Sequence, residues 1–203
     1  MPKLPPVILA AQGVFHTIQG EGHLAGQPMT FVRLAGCSVA CRECDTDYTF
    51  DRRESVEQIV DEVDLATPSE VRDRWCWVTG GEPADQAVEL SALVRGLRRR
   101  GFSVAVATSG VRRIAVPVDW LSVSPHAFEL TVRSGNEIKL IPGLNGLDAE
   151  QWIEENDATI DFWLRFLQPL EGDESSLSGC LAIRERFPHW GITLQTHKYM
   201  GLP

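Results

Sequence analysis

Three of the five cysteines lie within eight residues, in the segment Cys37-Ser-Val-Ala-Cys41-Arg-Glu-Cys44. Three thiolates on one short loop can ligate three corners of a cubane iron–sulfur cluster and leave the fourth iron open to a substrate or cofactor. Zinc is a competing occupant, but a structural zinc site wants four protein ligands. No Cys or His follows Cys44 at a conventional partner spacing, although His16 or His23 could fold back. Three unrelated thiols are the remaining alternative. Cys76 falls in an apolar strand pattern and Cys180 in a helical one, so both read as buried small hydrophobes.

A second segment with chemical content is Trp77-Val-Thr79-Gly80-Gly81-Glu82-Pro83, directly after a strand pattern. Two glycines let backbone approach a ligand closely, and Glu82 can accept hydrogen bonds from an ammonium. Without a ligand, the same residues make a strand-to-helix turn with an acid at the helix start.

The elements that must carry these residues follow from apolar patterning. Short, largely apolar strands are expected over Thr30–Leu34, Cys76–Thr79, Ser103–Thr108, Trp120–Val123, Glu137–Ile141, Phe162–Leu167 and Gly191–Thr196, as in parallel strands covered on both faces. Ser55-Val-Glu-Gln58 has the form of a capping box. Asp85 is expected to cap a helix through Leu97 that stops at Gly101. Asp148 starts a third helix, and a fourth covers Leu177–Phe187. Alternating strands and helices imply an α/β fold with a mainly parallel sheet. Seven strands against about four helices is too few helices for a closed eight-fold barrel, so a partial, open barrel is expected. With no repeat, low-complexity tract or linker dividing the chain, residues 1–203 are expected to form one domain.

Composition excludes several classes. The 203 residues are 43% hydrophobic and 23% charged, with a formal charge of −9. That is ordinary globular composition, neither disordered nor disulfide-dependent. An acidic chain repels polyphosphate, and its densest cationic run, Arg98-Arg99-Arg100, reads as the last turn of a helix. Nucleic-acid binding is therefore not expected. Met1-Pro-Lys-Leu-Pro-Pro does not resemble a secretory leader, and no apolar run approaches the roughly 20 residues of a membrane span. A cytoplasmic location is expected, where thiols stay reduced.

The C-x3-C-x2-C loop resembles the cluster loop of the radical S-adenosylmethionine (SAM) enzymes, and Gly80-Gly81-Glu82-Pro83 resembles that superfamily's GGEP motif. The flanks narrow the resemblance. Thr17-Ile18-Gln19-Gly20-Glu21-Gly22, Phe31-Val-Arg33-Leu-Ala-Gly-Cys37, Cys44-Asp45-Thr46, Thr108-Ser109-Gly110, Ser124-Pro125, Leu167-Gln168-Pro169 and Leu194-Gln195-Thr196-His197-Lys198 are similar to 7-carboxy-7-deazaguanine synthases. The resemblance implies a carbon–nitrogen lyase on the route to deazapurine bases such as queuosine, a tRNA modification. Its substrate would be 6-carboxy-5,6,7,8-tetrahydropterin, contracted to 7-carboxy-7-deazaguanine with loss of ammonia. A reduced [4Fe-4S] cluster would cleave SAM to a 5′-deoxyadenosyl radical that takes hydrogen from C6, with SAM regenerated and Mg²⁺ assisting. A homodimer and an electron donor such as flavodoxin or ferredoxin are implied as well.

Carried over by position, Cys37, Cys41 and Cys44 would hold the cluster and Thr46 the Mg²⁺. Glu43, Cys44, Asp45, Gly80, Gly81, Glu82, Thr108, Ser109, Ser124, Pro125, His126, Gln168 and Pro169 would meet SAM, with Ser124 near its ribose and Gln168-Pro169 at the adenosine end. Ile18, Gln19, Gly20, Glu21, Arg33, Thr79, His197 and Pro203 would meet the substrate. The residue types suit those tasks. Arg33 can fork onto the substrate carboxylate, while Gln19 and Glu21 can pair with the pterin edge. A Pro203 α-carboxylate could accept from the guanidine-like edge, its backbone restricted by the ring.

Three positions depart from the family pattern. Glu43 replaces an aromatic residue beside adenine, leaving Tyr48 as a candidate for that contact. Ala107 replaces a glutamate, and His126 replaces a lysine. A glycyl-radical-enzyme activase and a non-catalytic zinc-binding module are the alternatives.

Overall fold

The computed structural model describes residues 6–42 and 44–203. One nine-stranded sheet organises them. Its strands are β1 (Val7–Ile18), β2 (Pro28–Leu34), β3 (Phe50–Glu54), β4 (Trp75–Gly80), β5 (Ser103–Thr108), β6 (Trp120–Val123), β7 (Ser134–Leu140), β8 (Asp161–Leu167) and β9 (Gly191–Ile192). They lie in the order β3-β1-β2-β4-β5-β6-β7-β8-β9. From β2 to β9 every neighbouring pair is parallel. β1 runs antiparallel to both β2 and β3. The result is the open, mainly parallel barrel expected from the sequence.

The seven strands expected from the sequence are the seven parallel ones. β9 is shorter than expected: Thr193 N–H still donates to Leu167 O of β8 at 3.0 Å, and beyond it the backbone turns to another partner. Thr196 N–H donates to the carbonyl of Gly20 at 2.8 Å and begins a short helix, residues Thr196–Tyr199. The two antiparallel strands escaped the pattern for different reasons. β1 carries a register shift between Leu9 and Val14 that interrupts alternation. β3, Phe-Asp-Arg-Arg-Glu, is a charged edge strand, and charge at an edge blunts further pairing.

Four longer helices cover the outer face: α1 (Val56–Ala66), α2 (Ala87–Arg99), α3 (Ala149–Asn156) and α4 (Glu174–Arg186). α1 starts with the expected capping box, in which Gln58 N–H donates to Ser55 Oγ (3.2 Å) and Ser55 N–H to Gln58 Oε1 (3.0 Å). Asp148 caps α3 as expected. α4 begins ahead of Leu177, because Asp173 accepts from Ser175 and Ser176 N–H.

Asp85 does not cap α2. It sits inside a 3-10 turn over Pro83–Gln86, so its carboxylate is free to accept from the N–H (2.7 Å) and hydroxyl (2.9 Å) of Ser38, beside Cys37. At the far end of α2, Arg98 is bound by Asp119, and Arg100 by Asp61 and Asp64. Much of the cationic run is thus neutralised locally.

Two apolar clusters lie between sheet and helices. Cys76 belongs to the one under α1 and α2, and Cys180 to the one that includes α3 and α4 residues. Burial drives both thiols up, Cys180 to about 11, so neither is a ready thiolate. The inner face of the sheet carries Met29, Phe31, Trp77, Ala105 and Trp120. No helix among the described residues is long and apolar enough to cross a membrane.

Candidate active site

Parallel α/β sheets gather function at the carboxyl ends of their strands, and this one does so. Period-two alternation points Phe31 and Arg33 of β2, Trp77 and Thr79 of β4, Ala107 of β5 and Lys139 of β7 inward. All six line a cavity of about 230 Å³. The segment Ile18–Glu21 closes it from one side, and Gln195, His197 and Pro203 from another.

Cys37, Cys41 and Cys44 all line this cavity, whereas Cys76 and Cys180 do not. Burial raises the Cys41 and Cys44 thiols, with the neighbouring cysteines adding to it; an iron-bound sulfur loses its proton and escapes that penalty. Cys41 Sγ is flanked by His126 Nδ1 at 2.9 Å and Asn145 Nδ2 at 3.1 Å. Among the described residues, no three His, Cys, Asp or Glu side chains are grouped as ligands of a single ion. A cubane asks for a different arrangement, since each thiolate takes a different iron. Three thiols on one loop, all lining one cavity, fit that demand.

The loop is held by backbone. Gly81 N–H donates to Leu34 O (2.8 Å) and Glu82 N–H to Gly36 O (3.1 Å), next to Cys37. A Cβ on Gly81 would lie 1.6 Å from Gly36 O, and one on Gly80, whose φ is +114°, would lie 2.3 Å from Leu34 N and O. These glycines therefore serve the packing of β4 against the cysteine loop as well as lining the cavity. Glu82 is buried and accepts four hydrogen bonds: Ala84 N–H (3.0 Å) and Thr108 Oγ (2.7 Å) on one oxygen, Ser109 N–H (2.9 Å) and Ser109 Oγ on the other. That fills a carboxylate's acceptor sites. An incoming ammonium has to displace one of the two hydroxyls.

Another part of the lining centres on Glu21. It is ion-paired with the buried Lys139 and accepts from Gln195 Nε2 (2.8 Å) and Gln168 Nε2 (3.2 Å). Burial alone would raise the Glu21 carboxyl. Lys139, aided by Gln195 and His197, outweighs it and pulls it down to about 2. Gln195 also reaches Asp45 (3.3 Å), which is paired with Lys198. Gln168 Oε1 is buried with no hydrogen-bond partner among the described residues, an acceptor suited to a ligand N–H. The Arg33 guanidinium lies over the Phe15 ring, 5.1 Å from its centre. Burial lowers its pKa, while Asp45 and Asp47 oppose the shift.

No protein-family model matches the chain. It is 35% identical to the 7-carboxy-7-deazaguanine synthase of Caulobacter vibrioides over 210 residues, covering 94% of this chain and 97% of the relative. It is 35% identical to the 7-carboxy-7-deazaguanine synthase of Burkholderia multivorans over 215 residues, covering 96% and 99%. The chain belongs to the 7-carboxy-7-deazaguanine synthase family. The fold agrees: QueE from Escherichia coli superposes with a TM-score of 0.69 at 26% identity, covering 95% of this chain and 94% of that one. Neither the activase nor the zinc module is favoured by these relatives.

Most residues expected from the 7-carboxy-7-deazaguanine synthase pattern converge here. Asp45, Thr46, Ser124 and His126 line the cavity, as does Tyr48. Pro125 and Pro169 do not line it. Glu43 lies outside the described residues. Gln168, expected at the adenosine end, is bonded to Glu21, which was expected at the substrate. Gln19 Oε1 accepts from Glu21 N–H at 3.0 Å, so the residue shapes its own loop. Gly20 is required by contact: a Cβ there would lie 2.1 Å from His197 Nδ1.

Lys139, Asn145, Phe31 and Trp77 were not singled out from the sequence. Lys139 has a legible sign, since it is a cation set between the apolar Ile138 and Leu140 near the end of a strand pattern. Asn145 has none.

The glycine contact yields an expected result for the 7-carboxy-7-deazaguanine synthase cysteine loop. Gly81→Ala forces the Gly36–Cys37 peptide away, so iron retained after anaerobic reconstitution should fall roughly tenfold with the α/β circular-dichroism spectrum preserved. Normal iron content in that variant would show that the loop is not anchored there.

Proposed function

We propose that this chain converts 6-carboxy-5,6,7,8-tetrahydropterin into 7-carboxy-7-deazaguanine with release of ammonia, acting as one domain. One observation carries the reading. A single cavity is lined by the three thiols of the cysteine loop, by Arg33 and by Glu21, a carboxylate that Lys139 holds anionic. A [4Fe-4S] cluster on Cys37, Cys41 and Cys44, with SAM, supplies the radical chemistry when bound.

The chain's own residues orient the reactants. Arg33 pairs with the substrate carboxylate. Glu21, unable to take up a proton near neutral pH, accepts from the pterin's ring N–H groups, and Gln168 Oε1 adds an acceptor beside it. Ile18, Gly20, Thr79, His197 and Pro203 shape the remaining contact, and Phe31 and Trp77 exclude water below. Glu82, with Thr108 or Ser109 yielding a bond, takes the SAM ammonium. Ser124 and His126 lie toward its nucleoside, where Tyr48 offers a ring in place of an aromatic at Glu43. The Thr46 hydroxyl is an oxygen ligand suited to Mg²⁺, a hard cation that keeps several other oxygen ligands. The family likeness also supports a homodimer, a flavodoxin- or ferredoxin-type electron donor and a cytoplasmic setting, with no nucleic-acid or membrane partner.

The deciding measurement is anaerobic turnover of the carboxy-tetrahydropterin with reconstituted protein, SAM and a reductant, with and without Mg²⁺. The deazaguanine product and ammonia should appear in equal amounts. Thr46→Val should hold its cluster and lose the response to Mg²⁺. A full cluster that cleaves SAM yet yields no deazaguanine would overturn the substrate assignment.

A further inference from the structure

Among the described residues, two that are not glycine have positive φ: Ala40 at 49° and Asn145 at 52°. Both bear on one atom. Ala40 immediately precedes Cys41, and Asn145 Nδ2 lies 3.1 Å from Cys41 Sγ across 104 residues of sequence. Left-handed backbone in a residue with a Cβ is held only where its surroundings impose it, and such outliers collect at functional sites. Asn145 is exposed and sits in the Leu144–Gly146 turn beyond β7, so core packing does not account for it. Its amide has two donor hydrogens and both are used, one toward Cys41 Sγ and one toward the carbonyl of His126 at 3.1 Å. Asparagine suits the position twice: it tolerates the left-handed region better than other side chains, and it brings an N–H that does not titrate.

We propose that Asn145 is a positioning residue that hydrogen-bonds the Cys41 ligand and raises the reduction potential of the cluster, a role that rests on the iron–sulfur reading above. An N–H pointing at a thiolate draws off electron density and favours the cluster state carrying one more electron. The step affected is a one-electron reduction from the resting to the reduced cluster by an external low-potential donor, with no bond made or broken. His126 Nδ1, 2.9 Å from the same sulfur, is left in place as a constant neighbour.

The test is a mediated redox titration of the reconstituted, SAM-free protein, read by electron paramagnetic resonance, on wild type, Asn145→Gly and Asn145→Asp. Glycine keeps the left-handed turn and removes the donor. Aspartate keeps shape and turn but offers the sulfur an anionic oxygen. The midpoint should fall in the order wild type, glycine, aspartate. For the aspartate variant the reduced-to-oxidised ratio at the wild-type midpoint should fall roughly tenfold, a shift of about 59 mV for one electron. Full iron and sulfide content with unchanged midpoints would overturn the proposal. So would loss of the cluster in both variants, which would make Asn145 an anchor of the loop. A wild-type protein that assembles no [4Fe-4S] cluster would sink the ligand reading itself, and iron and sulfide analysis separates that failure from the others.

Discussion

Replacing Cys37, Cys41 or Cys44 singly with alanine is expected to leave a folded protein with no stable iron chromophore and no SAM cleavage. The three side chains line the cavity and belong to neither of the two apolar clusters between sheet and helices. Their loss therefore costs little packing, while a cubane short of a thiolate has an open iron on the protein side. Cys76→Ala and Cys180→Ala should behave in the opposite way. Both side chains are fully buried, so each should cost about 1 kcal/mol of stability, the usual size for a small core truncation, with iron content and cleavage unchanged. Iron and sulfide analysis, the visible spectrum and thermal unfolding read out both halves. A variant of the cavity triad that kept its cluster and turned over normally would remove that cysteine from the ligand set.

Lys139→Met is expected to lower kcat/KM by roughly 10²-fold, about 2.7 kcal/mol at 1.36 kcal/mol per factor of ten. Most of the effect should fall in KM. Methionine keeps the apolar stem but leaves Glu21 in a half-buried site without its counter-charge, and breaking one side of such a pair is costly. The pH dependence gives a second reading. In the wild type the Glu21 carboxyl lies at about 2. Its anionic form therefore persists throughout the neutral and mildly acidic range and is lost only as pH falls toward that value. Without Lys139, burial acts with less opposition and lifts the carboxyl. Protonation then grows as pH drops through the mildly acidic range, so KM of the variant should climb toward low pH while that of the wild type stays flat. A pH-independent KM in Lys139→Met would mean that the lysine contributes shape alone. Iron content should be normal in both proteins.

How much of this was legible in the sequence depends on whether the information is local. The parallel strands advertise themselves through runs such as Ser103-Val-Ala-Val-Ala-Thr108, because strands covered on both faces are apolar throughout. The capping box at Ser55 and the cap at Asp148 are also local chemistry, and they held. Asp85 did not, since its choice between a helix N–H and the Ser38 backbone depends on a loop 47 residues away. β3 is hidden for a related reason: Arg52 and Arg53 read as loop until the edge of a sheet is placed beside them. The cysteine loop and the glycine motif were recognisable from type and spacing alone. Asn145 was not, because nothing near it in sequence shows that Cys41 lies alongside. Lys139 falls between these cases. A lysine set between Ile138 and Leu140 announces that something must neutralise it, but only the fold names Glu21.

The long-range bonds that complete the cavity also set an order of events during synthesis. Gly20 is joined to Thr196 across 176 residues, and Asp45 to Lys198 across 153. At about 5–20 residues per second on the ribosome, Lys198 is added roughly 8–30 s after Asp45. Throughout that interval Cys37, Cys41 and Cys44 are part of a nascent chain that lacks the segment destined to wall them in. The cavity that would hold the proposed cluster is therefore complete only once Lys198 has been made, and until then the fold does not wall in the three thiols.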